Sequence, residues 1–418
     1  MNLLKCCATA IVVSFVATIA YGVGPYRVTN LGTIAGGNDS DARGINAGGQ
    51  VVGRSNSPNG FRAFLWSPGH SNGTTGSMVD LGTLAGNDSF AQSINSRGQV
   101  SGQSTNDVAW PYSGFLWTPD STNGTVGSMI DLGSLGRASD YTFAGGINSQ
   151  GQITGRGRSQ MGDRAFLWMP ATPNSAIGSM FALDGTPSGI LEAGGVDINS
   201  AGQIVGNGQT LDNSVSFLWT PTTSNGTTGV MTVLAELPIQ SLPIALNDSG
   251  QIVGAYGRLI FSTHAFLWSP FEPNGSVGGM IDLGILPGTE YSWAYDINSQ
   301  GQVVGHSIIP YERYRAFIWT PSVPNGDEGT MFDLNSLLEP NTGTGWQIGT
   351  ATGINDRGQI AGNGSYDPDG PGGIDAIHRA VLLTPVPEPS TALIGLFGAS
   401  AFLRRQNFTR RRSRVVAR

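Results

Sequence analysis

The sequence predicts an all-β chain that folds as a seven-bladed β-propeller of four-stranded blades. Two observations predict this fold: a unit of about 51 residues occurs seven times, and each unit holds four short apolar segments separated by turn-forming residues. One such unit cannot cover both of its apolar faces alone, whereas a closed ring covers all of them. An open β-solenoid is the alternative, but it needs capping repeats, which the pattern from Tyr26 to about Thr384 does not offer.

The composition agrees with this class. Of the 418 residues, 62 are Gly and 23 are Pro, and only 12% are charged. So much Gly, with β-branched residues in short runs, argues against a helical bundle. An aromatic share of 9% is too high for a disordered chain.

Three sequence markers define the repeat. The pattern Ile-Asn-x-x-Gly-Gln begins at Ile45, Ile94, Ile147, Ile198, Ile297 and Ile354, with Leu246 beginning a seventh copy. The pattern Phe-Leu/Ile-Trp ends at Trp66, Trp117, Trp168, Trp219, Trp268 and Trp319. Asp-Leu-Gly begins at Asp80, Asp131 and Asp282, with looser copies in the other repeats.

We place one strand on each marker segment. The first strand is of the type Met78–Leu81, the second Ala91–Ile94, the third Gln99–Gln103 and the fourth Ala63–Trp66. Alternation puts Phe64 and Trp66 on one face of the fourth strand and Leu65 on the other, so this strand should lie between two layers. We call this assignment of the four strands to one blade the phase of the blades. With it, the first repeat begins at Tyr26 and the last ends near Leu383. This predicts ring closure by side-chain packing rather than by a shared sheet.

The two ends of the chain are predicted to lie outside the propeller, which we assign to residues 23–385. Residues 1–22 have one basic residue, an apolar run and the small-x-small ending Ala20-Tyr21-Gly22, which predicts a signal peptide rather than a buried first strand. Residues 386–418 contain Pro387-Glu388-Pro389, an apolar stretch from Thr391 to Leu403 and seven arginines. A simple membrane anchor is the alternative for this tail.

The charge of the predicted body excludes one class of partner. Without Lys5 and the seven tail arginines, residues 23–389 hold 14 basic and 29 acidic side chains, a net charge of −15, and no lysine. Nucleic-acid binding needs a basic footprint, so we expect no nucleic-acid partner.

Both the tail and the repeats resemble known families. The tail resembles the PEP-CTERM sorting signal, which implies transient anchoring in the inner membrane, removal by an exosortase and release to the cell surface or to an extracellular matrix such as a biofilm. The repeats resemble the extracellular HAF-repeat family: His264-Ala265-Phe266 keeps its name-giving triplet, and three other repeats have Arg-Ala-Phe at the same place. This second resemblance covers about residues 26–384 and implies exported bacterial proteins without an assigned chemistry.

Few residues suggest catalysis or a cofactor. The four histidines do not share a repeat position, and the predicted mature body has no cysteine. Asp80, Asp131, Asp282 and Asp333 recur at one repeat position, so we interpret them as turn residues rather than catalytic acids. Asp367 and Asp369, with Asp375 further on, loosely resemble the start of a calcium loop, so calcium is the one cofactor considered.

The links that vary among repeats predict a binding surface. The links between strands one and two and between strands three and four differ in length, and alternation brings both to one end of the ring. The predicted ligand-binding residues on and beside them are Phe90, Trp110, Tyr112, Asp140, Tyr141, Glu290, Tyr291, Trp293 and Trp346. Aromatic rings beside acids can stack on sugar rings and bind hydroxyls. One point argues against this end: propellers often bind where the fourth strand leads to the next blade.

The function predicted from these observations is non-enzymatic. We expect an exported surface or matrix protein that binds exopolysaccharide or protein partners. An extracellular polysaccharide hydrolase or lyase on a propeller scaffold is the alternative, and a scaffold without a ligand is a third. A cluster of buried acids facing one pocket would favour the enzyme, and an open aromatic face without such acids would favour binding.

Overall fold

The predicted seven-bladed β-propeller is confirmed. The computed structural model describes residues 24–386 apart from 106–111, 138–139, 184–186, 188, 239, 258–262, 310–312 and 370–375. In this part of the chain, seven antiparallel four-stranded sheets surround one central channel. The predicted signal peptide and the sorting motif Pro387, Glu388 and Pro389 lie outside the described residues.

The strands follow the chain blade by blade, from the channel outwards. The first blade comprises β2 (Ser40–Ile45), β3 (Val51–Ser57), β4 (Gly60–Pro68) and β5 (Gly76–Asp80). The second comprises β6 (Ser89–Ile94), β7 (Val100–Thr105), β8 (Tyr112–Pro119) and β9 (Gly127–Asp131). The third comprises β10 (Thr142–Ile147), β11 (Ile153–Ser159), β12 (Gly162–Pro170) and β13 (Gly178–Ala182).

The other blades repeat this order. The fourth comprises β14 (Glu192–Ile198), β15 (Ile204–Gln209), β16 (Ser214–Pro221) and β17 (Gly229–Val233). The fifth comprises β18 (Leu242–Leu246), β19 (Ile252–Tyr256), β20 (His264–Pro270) and β21 (Gly278–Gly284). The sixth comprises β22 (Tyr291–Ile297), β23 (Val303–Ile309), β24 (Arg313–Pro321) and β25 (Gly329–Asp333). The seventh comprises β26 (Trp346–Ile354), β27 (Ile360–Tyr366), β28 (Ile377–Pro385) and, from the other end of the chain, β1 (Tyr26–Asn30).

The predicted phase of the blades was wrong by one strand. The Asp-Leu-Gly segment forms the outermost strand of the preceding blade: in β5, Val79 pairs with Leu65 and Asp80 pairs with Phe64 of β4. The link between β4 and β5 is a hairpin turn whose Asn72 has a left-handed φ of 59°. A hairpin turn joins neighbouring antiparallel strands, so it commits the Asp-Leu-Gly segment to the blade before it.

The predicted mode of ring closure was wrong for the same reason. β28 is not followed by an Asp-Leu-Gly strand, and β1 takes that place, with Val28 opposite Leu383 and Asn30 opposite Val381. The first and last parts of the repeat region therefore share one sheet. Backbone hydrogen bonds close the ring in addition to side-chain packing.

The core consists of seven clusters, one between each pair of neighbouring blades. The Phe-Leu-Trp segment, predicted as the fourth strand, is the third strand of its blade, and as predicted both of its faces are buried. Phe64 and Trp66 pack with Leu382 of the seventh blade, whereas Leu65 packs with Phe115 of the second. Each such aromatic side chain contributes about 1.5–3 kcal/mol by leaving water. The Phe115 ring leaves no space beside it, since a Cβ on Gly102 would lie 2.8 Å from the ring.

A closed ring of seven asparagines joins the innermost strands at one end. Asn46 follows β2, and its Oδ1 accepts hydrogen bonds from the Gly48 and Gln50 backbone N–H groups at 3.0 Å. Its Nδ2 donates to the backbone oxygen of Asn95 in the next blade. The same blade-to-blade bond, at 3.1–3.3 Å, is made by Asn46, Asn95, Asn148, Asn199, Asn247, Asn298 and Asn355, the last of which returns to Asn46. The asparagines are thus structural residues, as predicted.

The glutamine of the same marker ties this ring to the outer strands. Gln50 Nε2 donates to the backbone oxygen of Asn123, in the hairpin turn between β8 and β9 of the next blade, at 3.0 Å. Five other blades repeat this bond through their own glutamine. Both members of the Asn-x-x-Gly-Gln marker therefore hold blades together at one end.

Replacing one donor should weaken the asparagine ring. Asn148→Asp keeps the Oδ1 acceptor but removes the three Nδ2 bonds, to Asn199 O at 3.1 Å, to Gln152 Oε1 at 2.7 Å and to Asn225 Oδ1 at 3.3 Å. The buried carboxylate would face three acceptors, so we expect the free energy of unfolding to fall by about 1–3 kcal/mol. Urea unfolding measures this, with Asn59→Asp on an exposed turn as the control. Equal stability of the two variants would contradict a structural role of the ring.

Candidate functional site

The two ends of the ring differ in what they present. The end with the asparagine ring, here called the uniform end, carries nearly identical turns whose hairpin asparagines have φ values of 57–63°. The opposite end, here called the variable end, carries the links from the second to the third strand of each blade and those leading to the next blade. With the corrected phase, the outermost strand leads to the next blade at the variable end. Propellers often bind where the outermost strand leads to the next blade, so this observation no longer argues against the variable end.

The innermost strands carry a β-bulge that supplies the channel lining. Their pairing with the second strand shifts register by one residue, for example between Ala42 and Gly44 of β2. A bulge re-aims the extra side chain. The bulge residues that line the channel, which has a volume of about 540 Å³, are Arg43, Gln92, Gly145, Val196, Ile244, Tyr295 and Thr352. This position differs in every blade.

Two aspartates line the channel one residue after the bulge. Burial raises the pKa of Asp197 to about 6 and that of Asp296 to about 7. Each carboxylate accepts a hydrogen bond from the innermost strand of the next blade: Asp197 from Leu246 N at 2.9 Å, and Asp296 from Ile354 N at 2.7 Å. The two acids therefore link neighbouring innermost strands and also present carboxyl groups to the channel.

Five aromatic rings form a continuous row across the first three blades at the variable end. This row, here called the aromatic ladder, consists of Phe61, Phe90, Tyr112, Phe143 and Tyr141. Successive ring centroids lie 6.0, 6.2, 5.9 and 5.3 Å apart. Phe61 and Phe143 are 37% and 38% exposed.

A cavity of about 250 Å³ lies beside the ladder, and we call it the ladder cavity. Phe90, Tyr112 and Phe143 line it together with Arg43 and Gln92. The Arg54 guanidinium, also at this cavity, lies 4.9 Å from the Phe61 ring centroid and 5.9 Å from that of Phe90. Aromatic faces next to a few polar groups are typical of small-molecule and sugar sites.

A buried ion cluster supports the far end of the ladder. Asp163 is 1% exposed and accepts hydrogen bonds from Tyr141 Oη at 2.5 Å and from Arg158 at 3.0 Å, and it also binds Arg156. Burial alone would raise the pKa of Asp163, but these hydrogen bonds outweigh it and lower the pKa. The cluster therefore fixes the Tyr141 ring. Glu192, 3.8 Å from Arg156 and 3.9 Å from Arg158, supplies a second acid that balances the charge of the two arginines.

The structure brings only some of the predicted ligand-binding residues together. Phe90, Tyr112 and Tyr141 belong to the ladder, while Asp140 accepts the Arg137 N–H at 2.8 Å in a local turn. Trp110 lies outside the described residues.

The remaining predicted ligand-binding residues lie in the sixth and seventh blades. In the sixth blade, Glu290 accepts a hydrogen bond from Tyr291 Oη at 2.9 Å. Trp293 stands opposite His306, whose pKa is lowered to about 4 by burial. In the seventh blade, the ring of Trp346 packs against that of Tyr366, with their centroids 5.1 Å apart. These residues do not join the ladder, so the predicted set divides into at least two places.

The recurring aspartates have the predicted turn role. Asp80 Oδ1 accepts the Gly82 N–H at 2.7 Å, and Asp131 and Asp282 bind Gly133 and Gly284 in the same way. Asp333 binds the Asn335 N–H at 2.9 Å.

The calcium prediction stays untested. Asp367 and Asp369 are described, but Asp375 lies outside the described residues. Among the described side chains, one cluster of three potential metal ligands occurs at the ring-closing seam: Asp39, Asp41 and His378. Asp41 is already bound to Arg54 at 2.8 Å and to His378 Nε2 at 2.9 Å.

Several residues of the site were missed by sequence analysis. Arg43, Asp197 and Asp296 occupy the two positions before the Ile-Asn marker, and Phe61 opens a third strand. The signal was present, because the positions before Ile-Asn vary from repeat to repeat while the marker does not. The grouping of Arg43, Asp197 and Asp296 around one channel follows only from ring closure.

Comparisons with known proteins do not identify the chain. No family model and no curated protein matches it. Solved structures that resemble it include a gluconolactonase from Xanthomonas campestris, 10% identical, with a TM-score of 0.37 over 87% of this chain and 95% of that one. An aldose sugar dehydrogenase from Streptomyces coelicolor is 11% identical, with a TM-score of 0.31 over 86% and 98%.

A third similar structure is an α-L-arabinofuranosidase from Podospora anserina, 10% identical, with a TM-score of 0.29 over 86% of this chain and 96% of that one. Scores this low support no argument about function. Within the described part of the chain, no helix has both the length and the apolarity to cross a membrane.

The raised pKa of Asp296 predicts a stability that falls with rising pH. The folded protein holds this proton to about pH 7, whereas the unfolded chain releases it near 3.8. The contribution of Asp296 to the free energy of unfolding is therefore complete below about pH 4. It is lost as the pH rises towards 7, by at most about 4 kcal/mol. Asp296→Asn should flatten this part of the profile in urea unfolding between pH 4 and 8. Asp212→Asn, on an exposed loop, is the control, and a profile unchanged by Asp296→Asn would contradict the assignment.

The seam between the first and seventh blades should respond to pH in a different window. The hydrogen bond to Asp41 raises the pKa of His378, and the same bond, aided by Arg54, lowers the pKa of Asp41 to about 2. The histidine's contribution is complete below 6.5 and is lost as the pH rises through its folded pKa. The aspartate's contribution is present above 3.8 and is lost as the pH falls towards 2.

His378→Gln should therefore lower the free energy of unfolding most between about pH 4 and 6.5. The loss should be about 0.5–1 kcal/mol, because His378 is 43% exposed in its side chain. His70→Gln, on the exposed uniform end, is the control. A loss that grows above pH 8 would contradict the assignment.

Proposed function

We propose that this protein is an exported bacterial surface or matrix protein that binds polysaccharide at the variable end of its propeller. The observation that carries this proposal is the aromatic ladder, whose members Phe61 and Phe143 are partly exposed and whose rings Phe90, Tyr112 and Phe143 line a cavity with polar groups. Sugar rings have apolar C–H faces that pack on aromatic rings, and their hydroxyls need polar partners. A row of rings at near-constant spacing suits a polymer better than a single small ligand.

The address of the protein is part of the same proposal. The Pro387-Glu388-Pro389 motif, the apolar stretch after it and the arginine-rich end support a PEP-CTERM signal. We infer processing by an exosortase-type enzyme after transient anchoring in the inner membrane. The repeat motifs support membership of the HAF-repeat family.

A binding measurement on the purified chain tests this function. Phe61→Ala combined with Phe143→Ala should weaken co-sedimentation with polysaccharide from the producing cells by about tenfold to thirtyfold, because each ring contributes about 1 kcal/mol. Phe271→Ala is a matched control, since Phe271 is 74% exposed and lies near the uniform end. Equal losses in both variants, or binding only to a protein component of the extract, would overturn the proposal.

A polysaccharide hydrolase or lyase is the second candidate, and one observation favours it. Asp197 and Asp296 line the channel with raised pKa values, so each can hold a proton near neutral pH, as a general acid must. The aromatic ladder is partly exposed, which favours binding, but the channel beside it holds these two acids, which favours an enzyme. Release of reducing ends that disappears in Asp197→Asn or Asp296→Asn would replace the binding function with an enzyme.

A further inference from the structure

The most informative residue for specificity is an arginine without a counter-ion. Arg43 is the bulge residue of β2 and lines both the central channel and the ladder cavity. It is exposed, and within the described part of the chain it forms no ion pair and no hydrogen bond.

The neighbouring arginines are neutralised by acids. Arg54 donates to Asp41 at 2.8 Å, and Arg156 and Arg158 share two acids, the buried Asp163 and Glu192 at 3.8 and 3.9 Å. The channel acids Asp197 and Asp296 accept backbone N–H groups and are not bound to Arg43. The ladder cavity, whose lining includes Arg43 and Arg54 but no acid, therefore has one cation in excess.

A second group beside Arg43 lacks one partner. Gln92, the bulge residue of the next blade, donates from Nε2 to Gln103 Oε1 at 3.2 Å. Gln103 in turn donates to Ala144 O at 2.8 Å, which fixes the direction of this amide chain. The Gln92 amide oxygen accepts no hydrogen bond from the described residues, and it lines the ladder cavity. A hydroxyl donor on a ligand would satisfy it.

We propose that the site selects an acidic polysaccharide, one whose sugars carry carboxylates, as in polymers of hexuronic acids. The inference rests on the proposed function: the ladder binds the sugar rings, Arg43 binds the carboxylate and Gln92 accepts a hydroxyl. A guanidinium matches a planar carboxylate through two parallel N–H···O bonds, which a neutral sugar cannot offer. The body as a whole, with its net charge of −15, repels polyanions, so recognition depends on this local cation.

The experiment compares two polymers that differ only in charge. Polygalacturonate and its methyl ester have the same backbone, and the ester lacks the carboxylate. The wild-type chain should bind the acid about tenfold more tightly, and added salt should reduce this preference. Arg43→Gln should bring the affinity for the acid down to that for the ester, while Arg43→Lys should keep part of the preference.

Control variants separate this inference from the proposed function. Arg97→Gln removes an exposed arginine at the uniform end and should keep the full preference. The combination of Phe61→Ala and Phe143→Ala should weaken binding of both polymers. Thermal unfolding of each variant shows that the ring has formed.

The outcomes are distinguishable. Equal affinity of the wild-type chain for acid and ester overturns the acidic-sugar inference and leaves polysaccharide binding in place. Binding of neither polymer, together with no binding to the producing cells' polysaccharide, overturns both. Dextran sulfate bound as tightly as polygalacturonate would overturn the assignment of a carboxylate in favour of any anion.

Discussion

The hydrogen bond from each asparagine side chain to the backbone oxygen of the next one is the constraint on which the propeller depends. Asn46 begins this ring, and Asn355 closes it by donating to Asn46 O at 3.1 Å. Each amide also shapes its own turn, so the local turn and the contact between blades depend on the same atoms. A repeat that lost this residue would lose both, which explains why the marker recurs in every repeat.

Because the uniform end holds the blades together, the variable end is free to differ. The bulge residues show this division of roles: their positions are fixed by the register shift, while their chemistry ranges from Gly145 to Arg43. The ladder is likewise built from non-equivalent positions, with Phe61 on a third strand and Phe90 on an innermost strand. The aromatic ladder is therefore not a repeat of one motif but a single asymmetric feature on a symmetric scaffold.

Charge at the variable end is balanced almost everywhere. Asp163 and Glu192 together neutralise two arginines, and Asp41 joins Arg54 to His378 across the ring-closing seam. Asp197 and Asp296 accept backbone hydrogen bonds from the next blade and have pKa values near neutrality. The same carboxyl groups therefore link neighbouring strands and can exchange a proton near neutral pH. At the ladder cavity Arg43 is the exception, because the other arginine that lines it, Arg54, is paired with Asp41.

The sequence by itself determined the number of blades, the four strands of each, the turn role of the asparagines and aspartates, and the end of the ring at which the links vary. These follow from local chemistry: alternation, turn residues and repetition act over a few residues. The blade phase and the closure through β1 were decided by the tertiary structure, because pairing with the preceding or the following strand leaves the same local pattern. The site was decided there too. Arg43 and Phe143 are 100 positions apart in the chain, and only closure of the ring brings them to one cavity.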